Sequence, residues 1–490
     1  MKHQPPPFLL LIIFTLVLIA SLSSETLAIP PLNYGEGDAG TIRNPYLIDN
    51  LANLRWLSET PEVWGMTNGM RNKQYFRQTA DIDAIETVEW NNGRGFFPIG
   101  RSIYNTQMEI LYLVFHSEYD GDNYTISNLY AYPNELDSPF LDLHSHVYGL
   151  FGYLWETSIQ NIGLEHINYQ IHTDRIGQNS TGSALAGFVY HSTIMNCYVT
   201  GGIFIFTEPQ SEPGMSFLTS GLANIVSGGS IQNSYSTVKI TVFGNPPSSF
   251  LGGLVLMLLG SSITNSYYYG ELSSDSLAPK NSLVISASEK STIENCYFVC
   301  NTQEYDYAVA SSLYQSEILY SFWDQEVSNM HYPVEIVTDS IITCSLGYKT
   351  AAMKQISSYL HWDFANIWNI NPEINNGYPF LRNLPLPTLR EYEPHSPDIL
   401  QNSLVNFPNP FNPSTLISFI ITAPTSVQIN IYNIKGQKIR ALLNTDLAIG
   451  KHEVQWNGEN DHGQLVGSGI YLYNIQTNKN TAVKKMVLMK

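Results

Sequence analysis

The stretch Ile194-Met195-Asn196-Cys197-Tyr198-Val199-Thr200-Gly201 decides the fold, because its first five positions return along the chain. They come back as Ile231-Gln232-Asn233-Ser234-Tyr235, Ile263-Thr264-Asn265-Ser266-Tyr267 and Ile293-Glu294-Asn295-Cys296-Tyr297. Working outward, earlier copies are Ile126-Ser127-Asn128-Leu129 and Ile159-Gln160-Asn161-Ile162, and a decayed copy is Ile318-Leu319-Tyr320-Ser321-Phe322. Successive isoleucines are 33, 35, 37, 32, 30 and 25 residues apart. A Gly-apolar unit precedes four copies: Gly149-Leu150-Phe151-Gly152, Gly187-Phe188-Val189, Gly221-Leu222-Ala223 and Gly253-Leu254-Val255. Its first glycine stands 10, 7, 10 and 10 residues before the matching isoleucine.

A fixed period of this size is the signature of stacked structural repeats. One coil cannot bury its own apolar face, so it stacks on the next. Strands of neighbouring coils then lie about 4.8 Å apart, and the isoleucines form an inward column. Asparagine at a bend tolerates left-handed backbone and can build a side-chain hydrogen-bond ladder, while glycine serves bends that no Cβ enters. The prediction is an all-β chain: a right-handed parallel β-helix over residues 35–381, followed by a smaller β-sandwich.

Each tyrosine of the repeat directly follows the Cys/Ser position, so the two face opposite ways. Facing out, the tyrosines make a ladder that stacks on sugar rings or a partner; facing in, they are core, and core is the commoner use. Tyr267-Tyr268-Tyr269 must expose at least one ring whichever face is buried, which makes these three the candidate binding residues. Cys197 and Cys296 share a register three coils apart, roughly 14 Å by strand spacing, beyond disulfide reach.

The composition agrees. Of 490 residues 43% are hydrophobic but only 13% are charged, and Tyr reaches 31, which suits turn-rich β structure. The net charge of −18 argues against nucleic acid or an anionic membrane as partner. Four cysteines without a CxxC pair make neither a zinc ribbon nor a disulfide scaffold. Lys2 and His3, the apolar run Phe8–Leu22 and the small residues of Thr26-Leu27-Ala28 predict a signal peptide over residues 1–28. No later stretch is long enough to span a bilayer.

These repeats resemble GLUG-motif proteins, with Cys197-Tyr198-Val199-Thr200-Gly201 as the nearest copy of that family's Cys-Tyr-Ala-Thr-Gly tail. The resemblance runs from about Gly35 to Leu381. It takes in Trp90-Asn91-Asn92-Gly93, Asp120-Gly121-Asp122-Asn123-Tyr124-Thr125-Ile126, Phe322-Trp323-Asp324 and Asn376-Gly377-Tyr378-Pro379-Phe380-Leu381. It implies a bacterial surface protein or adhesin, and some members are proteases.

Thr350–Leu360 is predicted as a short helix with Thr350 as N-cap. Residues 382–402, with Pro385, Pro387, Pro394 and Pro397, form a linker. The pattern then changes. Phe407-Pro408-Asn409-Pro410-Phe411-Asn412-Pro413 excludes a central strand, and strands are predicted over Thr415–Ile421, Ser426–Tyr432, Gly450–Trp456 and Gly469–Gln476. Asn433–Gln437, with Gly436, is a hairpin turn. Residues 403–490 resemble the type IX secretion C-terminal sorting domain, a seven-stranded Ig-like sandwich, and also the Ig-like domain of the flagellar hook-capping protein. The motif residues are Pro408, Asn409, Pro410, Gly436, Trp456, Gly458, Gly469, Tyr471, Lys484 and Lys485. The resemblance implies the type IX machinery as a partner, and placement outside the cell or on the outer-membrane surface of a Gram-negative bacterium.

Chemistry is harder to find. There is no His-Glu-x-x-His, Gly-x-Ser-x-Gly or phosphate-binding loop, and neither a cofactor nor a metal is expected. Asp120-Gly121-Asp122 opens like a calcium loop, but Ala131 stands where the twelfth ligand belongs. Asp137, Asp142, His144 and His146 are weighed as a metal cluster against a polar loop, and the loop is preferred. Asp81 with Asp83, and Asp324 with Glu326, are the carboxylate pairs that glycoside cleavage would use. The favoured reading is a non-enzymatic solenoid binding a polysaccharide or a host or neighbour-cell surface protein; the alternative is a polysaccharide lyase or glycoside hydrolase.

Overall fold

The computed structural model describes residues 26–67, 70–104, 110–131, 146–173, 180–207, 216–243, 248–274, 279–302, 307–386, 404–421, 425–447, 450–478 and 481–489. Most of the signal-peptide stretch, and Asp137, Asp142 and His144, lie outside them. The chain divides into two compact units, the second made chiefly of residues 390–490.

The first unit is a parallel β-solenoid of three long sheets. One sheet has ten strands, and its inward column runs Tyr46, Phe76, Tyr119, Ile159, Ile194, Ile231, Ile263, Ile293, Ile318 and Ile342. The isoleucine stack is thus continued by aromatic rings toward the N-terminus. Ile159 to Ile318 are fully buried. The coil corner after each is left-handed, with φ of 54° at Asn161, 53° at Asn196, 47° at Asn233, 48° at Asn265 and 52° at Asn295. Asparagine visits that region at lower cost than most residues. The amides also link coils: Asn233 Nδ2 donates to Asn196 Oδ1 (3.3 Å), Asn196 Nδ2 to Asn161 Oδ1 (3.0 Å), and Asn161 Nδ2 to Asp120 Oδ1 (2.9 Å).

Two registers read from the sequence are corrected. Ile126 does not stack with Ile159, whose partner is Tyr119; Ile126 pairs with Leu164 in the next sheet. The motif Ile126-Ser127-Asn128 mimics the repeat because any bend wants an asparagine after a buried residue. Gly187 is likewise not the first glycine of its unit. Phe151 pairs with Ala186 and Ala186 with Ala223, so Ala184 fills the first-glycine position and Gly187 answers to Gly152. The odd spacing of 7 disappears. Nor does Gly187 serve a bend: a Cβ there would sit 2.1 Å from Val147 Cγ1, so close packing dictates the glycine.

The Cys/Ser column faces inward. The backbone N–H of Cys197 donates to Ser234 Oγ (3.1 Å) and that of Cys296 to Ser321 Oγ (3.2 Å). None of the four cysteines is in a disulfide, and burial pushes the Cys197 and Cys296 thiols up to about 12. A further copy that the sequence pattern hid, Ile342-Thr343-Cys344-Ser345-Leu346, closes the last coil.

The predicted helix Thr350–Leu360 is only one turn, Thr350–Met353, followed by a 3-10 turn Ile356–Ser358, and its N-cap is Lys349. Thr350 Oγ1 instead donates to Asp324 Oδ1 (3.0 Å). A tertiary bond has replaced the local cap.

The second unit is a seven-stranded sandwich. Val405–Phe407, Thr415–Ile421 and Gly450–Trp456 form one sheet; Lys438–Leu447, Thr425–Asn433, Gly469–Thr477 and Thr481–Leu488 form the other. Alternation along the strands sends Ile417, Phe419, Val427, Ile429, Tyr473 and Met486 into the core. Pro408-Asn409-Pro410-Phe411 runs beside the last strand. Asn409 Oδ1 accepts from the N–H of Val487 (2.9 Å), and Phe411 and Val487 share a backbone bond (2.9 Å). Trp456 is buried against Phe411 and Tyr471, and Tyr471 Oη donates to Gly467 O (2.8 Å). Gly436 (φ 75°) and Gly458 (φ 69°) occupy left-handed turns. Gly469 opens the strand Gly469–Thr477, whose Leu472 and Tyr473 pair with Lys485 and Lys484 of the last strand, Thr481–Leu488.

Candidate functional site: the aromatic columns of the solenoid

Tyr198, Tyr235, Tyr267, Tyr297 and Phe322 pair strand to strand in the second long sheet. Strand alternation turns them away from the Cys/Ser side. The four tyrosine rings stack with centroids 5.1, 4.8 and 4.6 Å apart and interplanar angles of 16°, 9° and 7°. At the upper end Gly163 occupies this column, and a Cβ there would meet the Tyr198 ring at 2.4 Å.

The ladder points out of the solenoid core, yet water does not reach it. The segment after the last coil folds back along it and buries it under Met353, Tyr359, Trp362, Trp368, Tyr378 and Leu381. Tyr297 Oη donates to Pro379 O (2.8 Å) and accepts from Asn375 Nδ2 (2.8 Å). Tyr235 Oη donates to Pro385 O (3.1 Å), so the solenoid unit holds its chain as far as residue 385. Among the described residues Tyr267 Oη has no hydrogen-bond partner. Burial raises the Tyr235, Tyr267 and Tyr297 hydroxyls well above the usual tyrosine value. The column is therefore a second core.

The run Tyr267-Tyr268-Tyr269 divides accordingly. Tyr267 is fully buried under Trp368. Tyr268 is fully buried on the opposite face, in the solenoid core, and donates to Val238 O (2.9 Å). Only Tyr269 keeps partial exposure, and it packs on Tyr378 and accepts from Asn376 Nδ2 (2.7 Å).

Asp324 is not a solvated carboxylate. It is fully buried and caps the turn Gln325–Ser328 through the N–H groups of Glu326 and Val327. It also accepts from Thr350 Oγ1 and from Tyr378 Oη (2.6 Å). Glu326 Oε2 accepts from the N–H of Thr350. This pair pins the covering segment to the last coils. Asp81 binds Thr125, and Asp83 binds Ile85 and Asn128. Both are exposed and structural in their contacts. Asp120 accepts from Asp122, Gln160 and Asn161, the pattern of a tight turn.

Two features escaped the sequence. On the third sheet Tyr153-x-Trp155 and Phe188-x-Tyr190 occupy paired outward positions. Tyr153 stacks on Phe188 at 4.9 Å, Trp155 lies 5.9 Å from Tyr190, and Tyr112 packs on Tyr153 at 5.3 Å. Trp155 is 36% and Tyr112 54% exposed. The signal was present as two period-2 aromatic pairs 35 residues apart, overlooked because they adjoin the Gly-apolar units. The second feature is a cavity of about 130 Å³ on the outer face of the ten-stranded sheet, lined by Tyr75, Arg77, Glu118, Asp120, Ser158 and Gln160 among others. Among the described residues no group of three His, Cys, Asp or Glu is placed to hold a metal, and no helix is long and apolar enough to cross a membrane.

Comparison with known proteins touches part of the chain. Residues 411–481 match the FlgD Ig-like domain family. A segment of 166 residues is 33% identical to Halomucin of Haloquadratum walsbyi; it makes up 34% of this chain and spans only 2% of that protein. Dimeric latent PorU from Porphyromonas gingivalis aligns over 18% of this chain and 9% of its own at 21% identity, with a TM-score of 0.16. The C-terminal sandwich is thus similar to an Ig-like domain of known type.

Proposed function

We propose that this chain is an exported protein of the GLUG-repeat kind, carried to the cell exterior by its C-terminal Ig-like unit acting as a type IX sorting domain. There its solenoid binds glycan or protein. The observation that carries the binding reading is the outward aromatic row of Tyr112 and Trp155, which are exposed, with Phe188 and Tyr190, which are half-buried, held on one sheet. Rings held by strand pairing lose little freedom on contact, and aromatic side chains supply most of the energy in such interfaces. The sorting reading is supported by the Ig-like match and by the way Pro408–Phe411 clamps the last strand.

Two experiments test this. Ending the chain before residue 403 is expected to leave it in the periplasm of a host with the type IX machinery; export of the shortened chain overturns the sorting role. The full chain, incubated with a polysaccharide panel, is expected to bind without releasing reducing ends, and Trp155→Ala with Tyr190→Ala to weaken binding at least tenfold. Retained binding moves the contact elsewhere.

The cavity of Tyr75, Arg77, Glu118 and Asp120 favours a second reading as a carbohydrate-active enzyme, because it sets two carboxylates at alternate positions of one strand beside a cation. Dose-dependent release of reducing ends that Glu118→Gln abolishes establishes it.

A further inference from the structure

The last solenoid coil consists of Val334–Thr338, Ile341–Thr343 and Leu346–Tyr348, one strand in each long sheet. Among the described residues each pairs with the preceding coil alone. Three rows of backbone donors and acceptors therefore end at one face, where an exposed edge invites pairing with another chain.

The side chains there run against what an end facing water needs. Val337 continues the inward column of Leu258, Ala287 and Leu313. Leu313 is 1% exposed, but Val337 is 48% exposed. Ile341 follows Ser230, Ser262, Thr292 and Glu317 in an outward column, and Ile336 follows Ser286 and Ser312. The Ile341 column turns from polar to isoleucine at its last step, and Ile341 is 54% exposed. The Ile336 column is apolar from Tyr153 to Met257, polar at Ser286 and Ser312, and apolar again at Ile336, which is 55% exposed. Solenoid ends normally carry polar-faced caps. The other end has a cover: helix Leu51–Glu59, capped by Asn50, buries Leu54 and Leu57 in the same cluster as Tyr46 and Ile48 of the first strand.

We propose that the open end is an interface between two copies of this chain, joined tail to tail. A single added peptide strand pairs with one edge. The three edges lie on different sides of the coil; a second copy turned end to end sets one edge against its own counterpart and the other two against each other, which a single strand cannot do. The chain's own first coil is closed by its helix, so head-to-tail stacking is blocked and the matching surface is the same end of a second copy. Such a contact is two-fold and closed, so growth stops at two. Ile336, Val337, Ile341 and Leu346 leave water in it. One coil supplies fewer than the about 20–30 residues a side of a standard interface, so the dimer is concentration-dependent. Pairing also doubles whatever ligand sites the solenoid carries.

Sedimentation equilibrium of the full chain over a wide concentration range tests this. The expected result is a monomer–dimer equilibrium with a limiting mass twice that of the chain. Ile341→Lys and, separately, Ile336→Lys are expected to weaken dimerisation at least tenfold with unchanged circular dichroism and melting. These side chains point outward, and two independent variants guard against a folding defect in either. A monomer at every concentration, a dimer that both variants leave intact, or open-ended fibres would each overturn the proposal.

Discussion

The isoleucine column and the tyrosine column stand four residues apart in every full repeat, yet they are buried by different means. Ile263 is covered by Ile231 and Ile293, its counterparts one coil away on either side. Tyr267 and Tyr297 stack on their counterparts too, but their outer sides are closed by Trp362, Trp368 and Tyr378 from beyond the repeats. The inner column closes through contacts about one coil apart in sequence. The outer one closes through contacts as distant as Tyr235 with Pro385, 150 residues away. A repeat therefore reports stacking, and says nothing of what is laid over the stack.

The largest expected difference comes from removing the cover. Trp368 is fully buried, with Trp362 4.3 Å away, and Trp368→Ala costs roughly 3–5 kcal/mol by loss of contact and creation of a cavity. Because the solenoid core has its own closure, the loss is expected in the covering segment. Tryptic cleavage after Lys354 and Arg382 should accelerate while the far-ultraviolet dichroism of the sheets persists. Collapse of the whole signal at the same temperature would mean the two cores are one cooperative unit.

Ile263→Ala is expected to cost about 2–5 kcal/mol and to act the other way. It breaks a column that every neighbouring coil shares, so the melting midpoint of the sheets should fall. If it fell no further than in an exposed control such as Ile434→Ala, the inward column would not carry the stack.

Alkaline titration separates the columns without mutation. The buried Tyr235, Tyr267 and Tyr297 hydroxyls titrate above the ordinary tyrosine value because burial disfavours the phenolate. The unfolded chain gives up those protons first, at pH about 10. Their stabilisation is intact below that pH and is lost as pH rises beyond it. Absorbance near 295 nm should show part of the tyrosine population ionising only together with unfolding. A smooth titration of every tyrosine at the ordinary value would deny the second core.

Much of this was legible in the sequence. Ile194, Asn196 and Cys197 gave inward side chain, corner and inward side chain, because strand alternation and left-handed backbone leave few residue choices. Tyr198 was readable as facing opposite to Cys197 but not as buried, since its cover comes from residues 353–385 with no repeat of their own. Ile126 misled because a buried residue followed by a bend asparagine is equally correct in two sheets. Asp324 looked like a strand-face carboxylate, and only the returning chain, with Tyr378 and Thr350, makes it a buried pin. The row Trp155 and Tyr190 was missed because its period-2 pairs adjoin segments already explained by their glycines.

The finest expected difference lies between adjacent rungs of the ladder. Tyr297 Oη donates to Pro379 O and accepts from Asn375 Nδ2, whereas Tyr267 Oη, equally buried, has no hydrogen-bond partner among the described residues. Both rings stack alike, so removing only the oxygen isolates the polar contribution. Tyr297→Phe forfeits bonds worth about 1 kcal/mol each at most, with Asn375 Nδ2 keeping Pro379 O. Tyr267→Phe relieves an uncompensated hydroxyl and is expected to be neutral or stabilising by up to about 1 kcal/mol. Denaturation midpoints of the two variants should therefore move apart in opposite directions, or one should stay still. If Tyr267→Phe destabilises as much as Tyr297→Phe, the Tyr267 hydroxyl must be held by an ordered water, and the second core is wetter than its aromatic composition implies.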